Sequence, residues 1–475
     1  MSSSKELIGF LSQAHPDLDV LTDATDRAGY ETGARYGAGT AAAVVRPATR
    51  EQVQAVVAAA QRFGVRLVVQ GANTGLVGAS TPDAGGEQIV LSTARLKGAI
   101  AVDPLNQSVT VGAGVLLSEL NTRLAQDGLF FPVDLGADPT IGGMIAANTG
   151  GARLLKYGDV RQNLLGVEAV LAEPAGELLD LNRALRKNNV GFDFKQLFVG
   201  TGGAFGVVTA ATLRVYPLPA QTATALLVPT GVAELEALLL ALNAELGDFL
   251  SSCEGISREA AQAVVRHLDD VEDPFAEMEG ADYAMLVELS STMPSRAGGL
   301  DLEALLMDFL ERHYGTLIGN AVVGKPEALW RLRHSITESI RNEGKIIALD
   351  LSVPRSRFPA FRAEARALIA ARYPWLRIYD FGHLGDGGVH LNMVWPLQDA
   401  PAYDEAVASE VRAELYRLTV ERFDGSFSAE HGIGPYNERF YRDFTADAVL
   451  GHVGAMQSRL DPRRTLSRLW LGKGE

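Results

Sequence analysis

The segment His383-Leu-Gly-Asp-Gly-Gly-Val-His390 sets two imidazoles on either side of an Asp-Gly turn flanked by apolar runs. That pattern predicts a β-hairpin in which the two rings can face each other. Along its second strand, the two-residue period puts Val389, Leu391 and Met393 on one face and His390 and Asn392 on the other, so the polar pair points together toward a wet or charged site. A second segment, Ser428-Ala-Glu430-His431-Gly-Ile-Gly, places a carboxylate beside an imidazole, with glycines that let a ligand approach closely. Two imidazoles and one carboxylate drawn from these segments would make a three-ligand site with open positions, as in catalytic rather than structural zinc centres. Manganese and iron(II) suit the same ligand types.

The elements that must carry these residues are mixed. Ala42-Ala-Val-Val-Arg reads as a strand, followed by a helix capped at Thr49 with Glu51 and Gln52 in its first turn. Arg66-Leu-Val-Val-Gln is the next strand and runs straight into Gly71-Ala-Asn-Thr-Gly-Leu-Val-Gly-Ala79. Small residues there let successive backbone N–H groups line one concavity suited to a pyrophosphate. The spacing of Gly71, Gly75 and Gly78 is not that of a Rossmann dinucleotide fingerprint, and no lysine completes a Walker loop. Gly142-Gly-Met-Ile-Ala-Ala-Asn-Thr-Gly-Gly151 and Gly200-Thr-Gly-Gly-Ala-Phe-Gly-Val-Val208 add bare backbone to the same region, which suits an extended phosphate-bearing cofactor. Residues 1–220 are therefore expected to form a cofactor domain. The prolines of Tyr216-Pro-Leu-Pro mark its end, and the stretch to Pro354 reads mainly as long amphipathic helices. The expected organisation continues with a substrate domain over 221–425, holding a strand pair around Tyr379–Trp395, and a mainly helical segment over 426–475.

Composition bounds the class of protein. A chain of 475 residues with 47% hydrophobic and 21% charged residues has room for two or three folded domains. A net charge of −15 with scattered basic residues argues against nucleic acid as a partner. No run of about eighteen apolar residues suggests a membrane span. The N-terminus has no secretory pattern, which gives the expectation of a cytoplasmic location. Cys253 is the single cysteine, so any metal site within the chain must use histidines and carboxylates.

The 70–80 loop, the Ile141-Gly-Gly block, Tyr157-Gly-Asp-Val-Arg and Asn188-Asn-Val-Gly-Phe-Asp-Phe-Lys-Gln-Leu-Phe-Val-Gly resemble, in order, the FAD domain of the vanillyl-alcohol-oxidase/p-cresol-methylhydroxylase flavoproteins. The resemblance covers nearly the whole chain. It implies an α+β fold: a two-subdomain FAD-binding domain, an α+β substrate (cap) domain and a helical C-terminal segment. It also implies that Gly71, Ala72, Asn73, Thr74, Gly75, Gly78 and Ala79 hold the pyrophosphate, that Pro139, Gly142, Gly143, Asn148 and Gly151 line the flavin, and that Gly206 and Val208 lie near the adenine or ring system. No histidine occurs between His15 and His267, so the FAD is expected to be non-covalent.

The histidine segments resemble the H-x-G-D-G-x-x-H and S-[GA]-E-H-G-[IL]-G signatures of FAD-linked oxidases acting on 2-hydroxy acids. By that resemblance His383, His390 and Glu430 bind a divalent metal, with zinc expected, and His431 is the base that takes the hydroxyl proton. Trp330-Arg-Leu-Arg333-His-Ser-Ile-Thr337 resembles the substrate element of the D-2-hydroxyglutarate dehydrogenases, which implies that Arg333 and Thr337 bind substrate, with Asn392 on a carboxylate. Electrons would leave to an electron-transfer flavoprotein or a quinone, and a homodimer is compatible with the sequence.

Three positions depart from that subfamily. Ala348 stands where a substrate-binding lysine is expected; Lys345, the nearest cation in the strand, is the remaining substrate-binding candidate, although parity starts it on the opposite face. Gly202 replaces a glutamate beside the flavin, and Asn437 replaces a lysine. A D-lactate, glycolate or D-malate dehydrogenase is the alternative within the class. A non-catalytic flavin-binding subunit is the alternative outside it, and a metal-dependent hydrolase would leave the glycine loops unexplained.

Overall fold

The computed structural model describes residues 2–276, 278, 280–296 and 298–474. The chain divides into two compact units, one of Met1–Gly150, Gly158–Leu218 and Glu430–Glu475, the other of Gly151–Tyr157 and Pro219–Ala429. Among the described residues, no helix is long and apolar enough to cross a membrane.

The first unit holds two larger sheets and a two-stranded ribbon that pairs Leu129–Phe130 with Tyr216–Pro217. Strands β1 (Asp19–Leu21), β2 (Ala43–Arg46), β3 (Leu67–Gln70) and β4 (Ile89–Ser92) form one, in the order β1-β2-β4-β3. The connection from β2 to β3 is helix α1 (Arg50–Phe63), as expected between strands that both pair in parallel with β4. Thr49 caps it by accepting from the Gln52 amide at 3.3 Å, and Gly64, at φ +67°, ends it in the left-handed conformation. Its apolar stripe of Val53, Val56, Val57 and Ala60 is fully buried. The second sheet is antiparallel: β5 (Ala101–Asp103), β6 (Ser108–Gly112), β7 (Leu164–Val170), β8 (Leu178–Asp180) and β9 (Val207–Arg214), in the order β5-β6-β9-β7-β8. Helix α2 (Ile141–Ala147) buries Ile141, Met144 and Ile145 in this sheet's core.

The second unit is built on a seven-stranded antiparallel sheet: β10 (Gln221–Pro229), β11 (Leu250–Ser257), β12 (Tyr283–Ser291), β13 (Ile318–Val323), β14 (Gly344–Ser352), β15 (Arg377–Gly382) and β16 (Gly388–Pro396), in the order β13-β10-β12-β11-β15-β16-β14. Five of these strands precede Pro354, where sequence patterning alone suggested mainly helices. The reason is burial. Every residue of β11 and β12 is buried, the polar Ser251, Ser252, Glu254 and Glu288 included, so polar residues do not mark a solvent face and the period-two alternation that betrays a strand is lost. Register pairs set out one face of the sheet: Ala348 and Asp350 on β14 oppose Asn392 and His390 on β16, which oppose Tyr379 and Phe381 on β15, and Phe381 opposes Ile256 on β11. Helices α3 (Arg258–His267) and α4 (Pro326–Arg341) cover this face, packing Ala260, Val264, Trp330, Ile336 and Ile340 against Ile256, Tyr379, Phe381 and Val394.

Candidate functional site

In the first unit the three glycine-rich segments meet. Asn73, at φ +58°, turns the loop after β3; its side-chain amide donates to the Thr32 carbonyl at 2.8 Å and its oxygen accepts from the Ser80 hydroxyl at 2.9 Å. Ala72 and Gly75 are exposed, while Thr74 and Ala79 are half-buried and Gly78, at φ +72°, is buried. A Cβ placed on Gly75 would find no heavy atom nearer than Ser80 Oγ at 4.0 Å, so this backbone borders open space. Gly71 differs: a Cβ there would lie 2.1 Å from Thr140 Oγ1, the cap of α2.

The first loop thus touches the second, where the Gly143 amide donates to Thr140 Oγ1, Gly142 packs on Ala113, and the Pro139 carbonyl accepts from Leu117. Asn148 ends α2 at φ +53° and is held by Asp159 and the Arg161 amide. The third segment docks through the Gly200 and Gly202 amides, which donate to the Ile145 and Ala146 carbonyls at 2.9 Å each. Gly206 sits against the Phe198 ring and Val208 is buried on β9. Gly151 opens the short stretch that belongs to the second unit.

The Glu430-His431 motif lies among these loops. Next to it, a Cβ on Gly432, itself at φ +76°, would lie 3.6 Å from the Ala147 carbonyl oxygen, and one on Gly434 would lie 2.3 Å from that of Val77. Tyr436 donates its amide to the same Val77 oxygen at 3.3 Å. Asn437 closes the turn, donating to the Gly432 carbonyl and accepting from the Gly434 amide, both at 2.9 Å. Gly202 stands at φ +58° with Leu469 Cδ1 2.6 Å from where its Cβ would be. A glutamate there would need both a strained backbone and a displaced Leu469.

In the second unit the hairpin turn is tight, with the Gly387 and Gly388 amides donating to the His383 carbonyl at 3.1 and 3.0 Å. The His383 and His390 rings lie 5.4 Å apart. His390 Nδ1 is 3.8 Å from Asp350 Oδ1, a carboxylate on the partner strand. His383 Nδ1 is 2.8 Å from Glu254 Oε1, and Glu254 Oε2 accepts from Arg333 Nε at 2.7 Å. Burial alone would push the Glu254 carboxyl up, but His383 and Arg333 outweigh it and hold the group at about 2. The Arg333 guanidinium also lies 4.8 Å over the Phe381 ring.

Thr337, one turn further along α4, is half-buried; Asn392 is buried, with its amide 3.2 Å from the His390 carbonyl. Lys345 is exposed on the other face of β14, its Nζ 4.1 Å over the Tyr403 ring. Ala429, the residue before Glu430, donates its amide to the Asp350 carbonyl at 3.3 Å. This face and α4 above it therefore bring together His383, His390, Arg333 and Asn392, with Thr337 one turn from Arg333. The face adds Asp350 and Glu254, which sequence reasoning passes over; for Asp350 the available signal is an acidic residue inside the apolar run Ile346–Leu351, whereas Glu254, among serines, has no such signal.

Residues 41–208 match the sequence model of the FAD binding domain, and residues 218–469 that of the C-terminal domain of FAD linked oxidases. The chain is 33% identical over 465 residues to a D-2-hydroxyglutarate dehydrogenase of Xanthomonas citri pv. viticola, covering 96% of this chain and 95% of the relative. Against the mitochondrial D-2-hydroxyglutarate dehydrogenase of Rattus norvegicus the identity is 31% over 436 residues, or 90% of this chain and 78% of the relative. A solved structure of alkyldihydroxyacetonephosphate synthase shares the fold, with a TM-score of 0.71 at 16% identity over 97% of this chain and 84% of that one.

Proposed function

This chain belongs to the family of FAD-linked oxidases, and we propose that within it D-2-hydroxyglutarate is the substrate, oxidised at its 2-hydroxyl to the 2-keto acid. The observation that carries this reading is the cluster in which Arg333, reaching from α4 to Glu254, stands with His383, His390 and Asn392: a cation suited to a carboxylate beside imidazoles suited to a metal. The loop 71–79 fits FAD, because its backbone at Gly75 borders open space while Asn73 and Thr140 fix its shape. Bound FAD would supply the two-electron acceptor.

His383, His390 and Glu430 would hold a divalent metal, with zinc our choice, and such an ion lowers the pKa of an attached hydroxyl. His431 would take the hydroxyl proton. Arg333, Thr337 and Asn392 would hold the carboxylates, fixing which face of the substrate is presented. An electron-transfer flavoprotein or a quinone would reoxidise the enzyme. Ala348 favours a second reading, a D-malate, D-lactate or glycolate dehydrogenase, because it removes a cation from the face that would meet a distal carboxylate.

Anaerobic mixing of the metal-replete holoenzyme with D-2-hydroxyglutarate, D-malate, D-lactate and glycolate tests both. Flavin bleaching by D-2-hydroxyglutarate in preference to the monocarboxylates is expected; preference for lactate or glycolate would overturn the substrate assignment. His431→Ala should keep FAD and lose reduction by substrate. Unchanged turnover would remove its role.

A further inference from the structure

Glu254 is buried, and both of its oxygens are committed, one to His383 Nδ1 at 2.8 Å and the other to Arg333 Nε at 2.7 Å. These partners come from different elements: Glu254 from β11, His383 from the turn after β15, Arg333 from α4. One carboxylate therefore joins the residue read as a metal ligand to the residue read as a substrate cation. We propose that Glu254 is a positioning residue that fixes His383 and Arg333 together, setting the ring of the first and the guanidinium of the second. The inference rests on the metal and substrate roles proposed above for those two residues.

The chemistry follows from the contacts. An imidazole whose Nδ1–H donates to a carboxylate carries its lone pair on Nε2, and a carboxylate behind a ligating histidine both fixes the ring and raises its basicity. Arg333 bonds Glu254 through Nε and stacks on Phe381, so its two terminal amino groups are the part left to grip a ligand in a two-pronged way. The same helix is pinned one turn earlier, where Trp330 Nε1 donates to the buried Glu288 at 3.0 Å. Glu288 opposes Ser252, two residues before Glu254, and so shares its face of the sheet. Trp330 thus secures α4 on its own, while Glu254 aims a side chain from it.

The test compares wild type with Glu254→Gln, loaded with FAD, by chelator competition for zinc and by steady-state kinetics. Expected are a 10- to 100-fold weaker zinc affinity, of the order seen when such supporting groups are changed (~10–100-fold), and a raised KM for D-2-hydroxyglutarate. FAD content and far-ultraviolet circular dichroism should stay at wild-type level. Wild-type zinc affinity in a folded Glu254→Gln protein would overturn the proposal, whereas a wild type that binds no zinc would overturn the metal reading along with it. Should the variant not fold, a crystal structure of the zinc-loaded wild type decides: ligation through His383 Nε2 with Nδ1 on Glu254 supports the role, and ligation through Nδ1 sinks it.

Discussion

Ala348 and Asn392 are register partners across β14 and β16, on the face that also holds Asp350 and His390. A side chain at 348 therefore reaches the region where Asn392 would meet a substrate, while Lys345 points away from it toward Tyr403.

It follows that Ala348→Lys places a second cation on the substrate face without moving the strand. A charge-assisted hydrogen bond is worth about 1.5–3 kcal/mol, so the ratio of kcat/KM for D-2-hydroxyglutarate over D-lactate should rise by roughly 10- to 100-fold. Steady-state kinetics with both acids checks this. An unchanged ratio would mean that position 348 does not face substrate.

Two glycines of one loop should respond differently. Gly71→Ala would push against the buried Thr140 hydroxyl and is expected to cost about 1–3 kcal/mol of stability, read as a lower Tm of the FAD-free protein. Gly75→Ala meets only Ser80 Oγ, at 4.0 Å, and should leave that Tm unchanged. Its methyl group instead enters the space assigned to the cofactor, so FAD titration should show weakened binding. Equal effects of the two on Tm would contradict this division.

Cys253 is buried, and burial, reinforced by the neighbouring Glu254 and Asp386, pushes its thiol far above the usual range. The thiolate is the reactive form, so almost none exists at pH 8. Native protein should resist a thiol reagent such as DTNB over hours, and should release one equivalent per chain only after denaturation. Rapid native labelling would show that β11 opens.

How far the sequence discloses the molecule depends on whether a residue's role is local. Thr49 capping α1 and the Asp386 turn are decided by neighbours a few places away, and both are legible. The strands β11 and β12 are not: every residue is buried, serines and glutamates included, so polar and apolar positions carry no period. The units also interleave along the chain, with 151–157 leaving the first unit and 430–475 returning to it, as no local signal announces. For the site, motif spacing picked out His383, His390, Glu430 and His431. Glu254 escaped because its partners lie 79 and 129 residues away, at Arg333 and His383. Gly202 and Asn437, departures from the subfamily pattern, gain a physical account only from the fold: Leu469 closes the space beside one, and the turn at Gly432–Gly434 is tied by the other.

The end of α4 yields a prediction about pH. Glu343 receives hydrogen bonds from Arg266 at 2.6 Å and from the Tyr379 hydroxyl at 2.9 Å, with Arg377 and His267 beside it. Burial pushes its carboxyl up, but these donors more than reverse that and hold it below the usual range. A lowered folded-state value means that the ionised form stabilises the fold. That stability is fully present above the unfolded carboxyl value of about 4.3 and is lost as pH falls through the lowered folded value. Glu343→Gln should thus be less stable than wild type at pH 7 by about 1.5–3 kcal/mol, the range for hydrogen bonds to a charged group. The difference should shrink once the pH drops below about 4. Urea unfolding of both proteins at pH 7 and at acid pH measures it, and a difference that stays constant across that range would show that shape rather than charge at Glu343 holds α4 to the sheet.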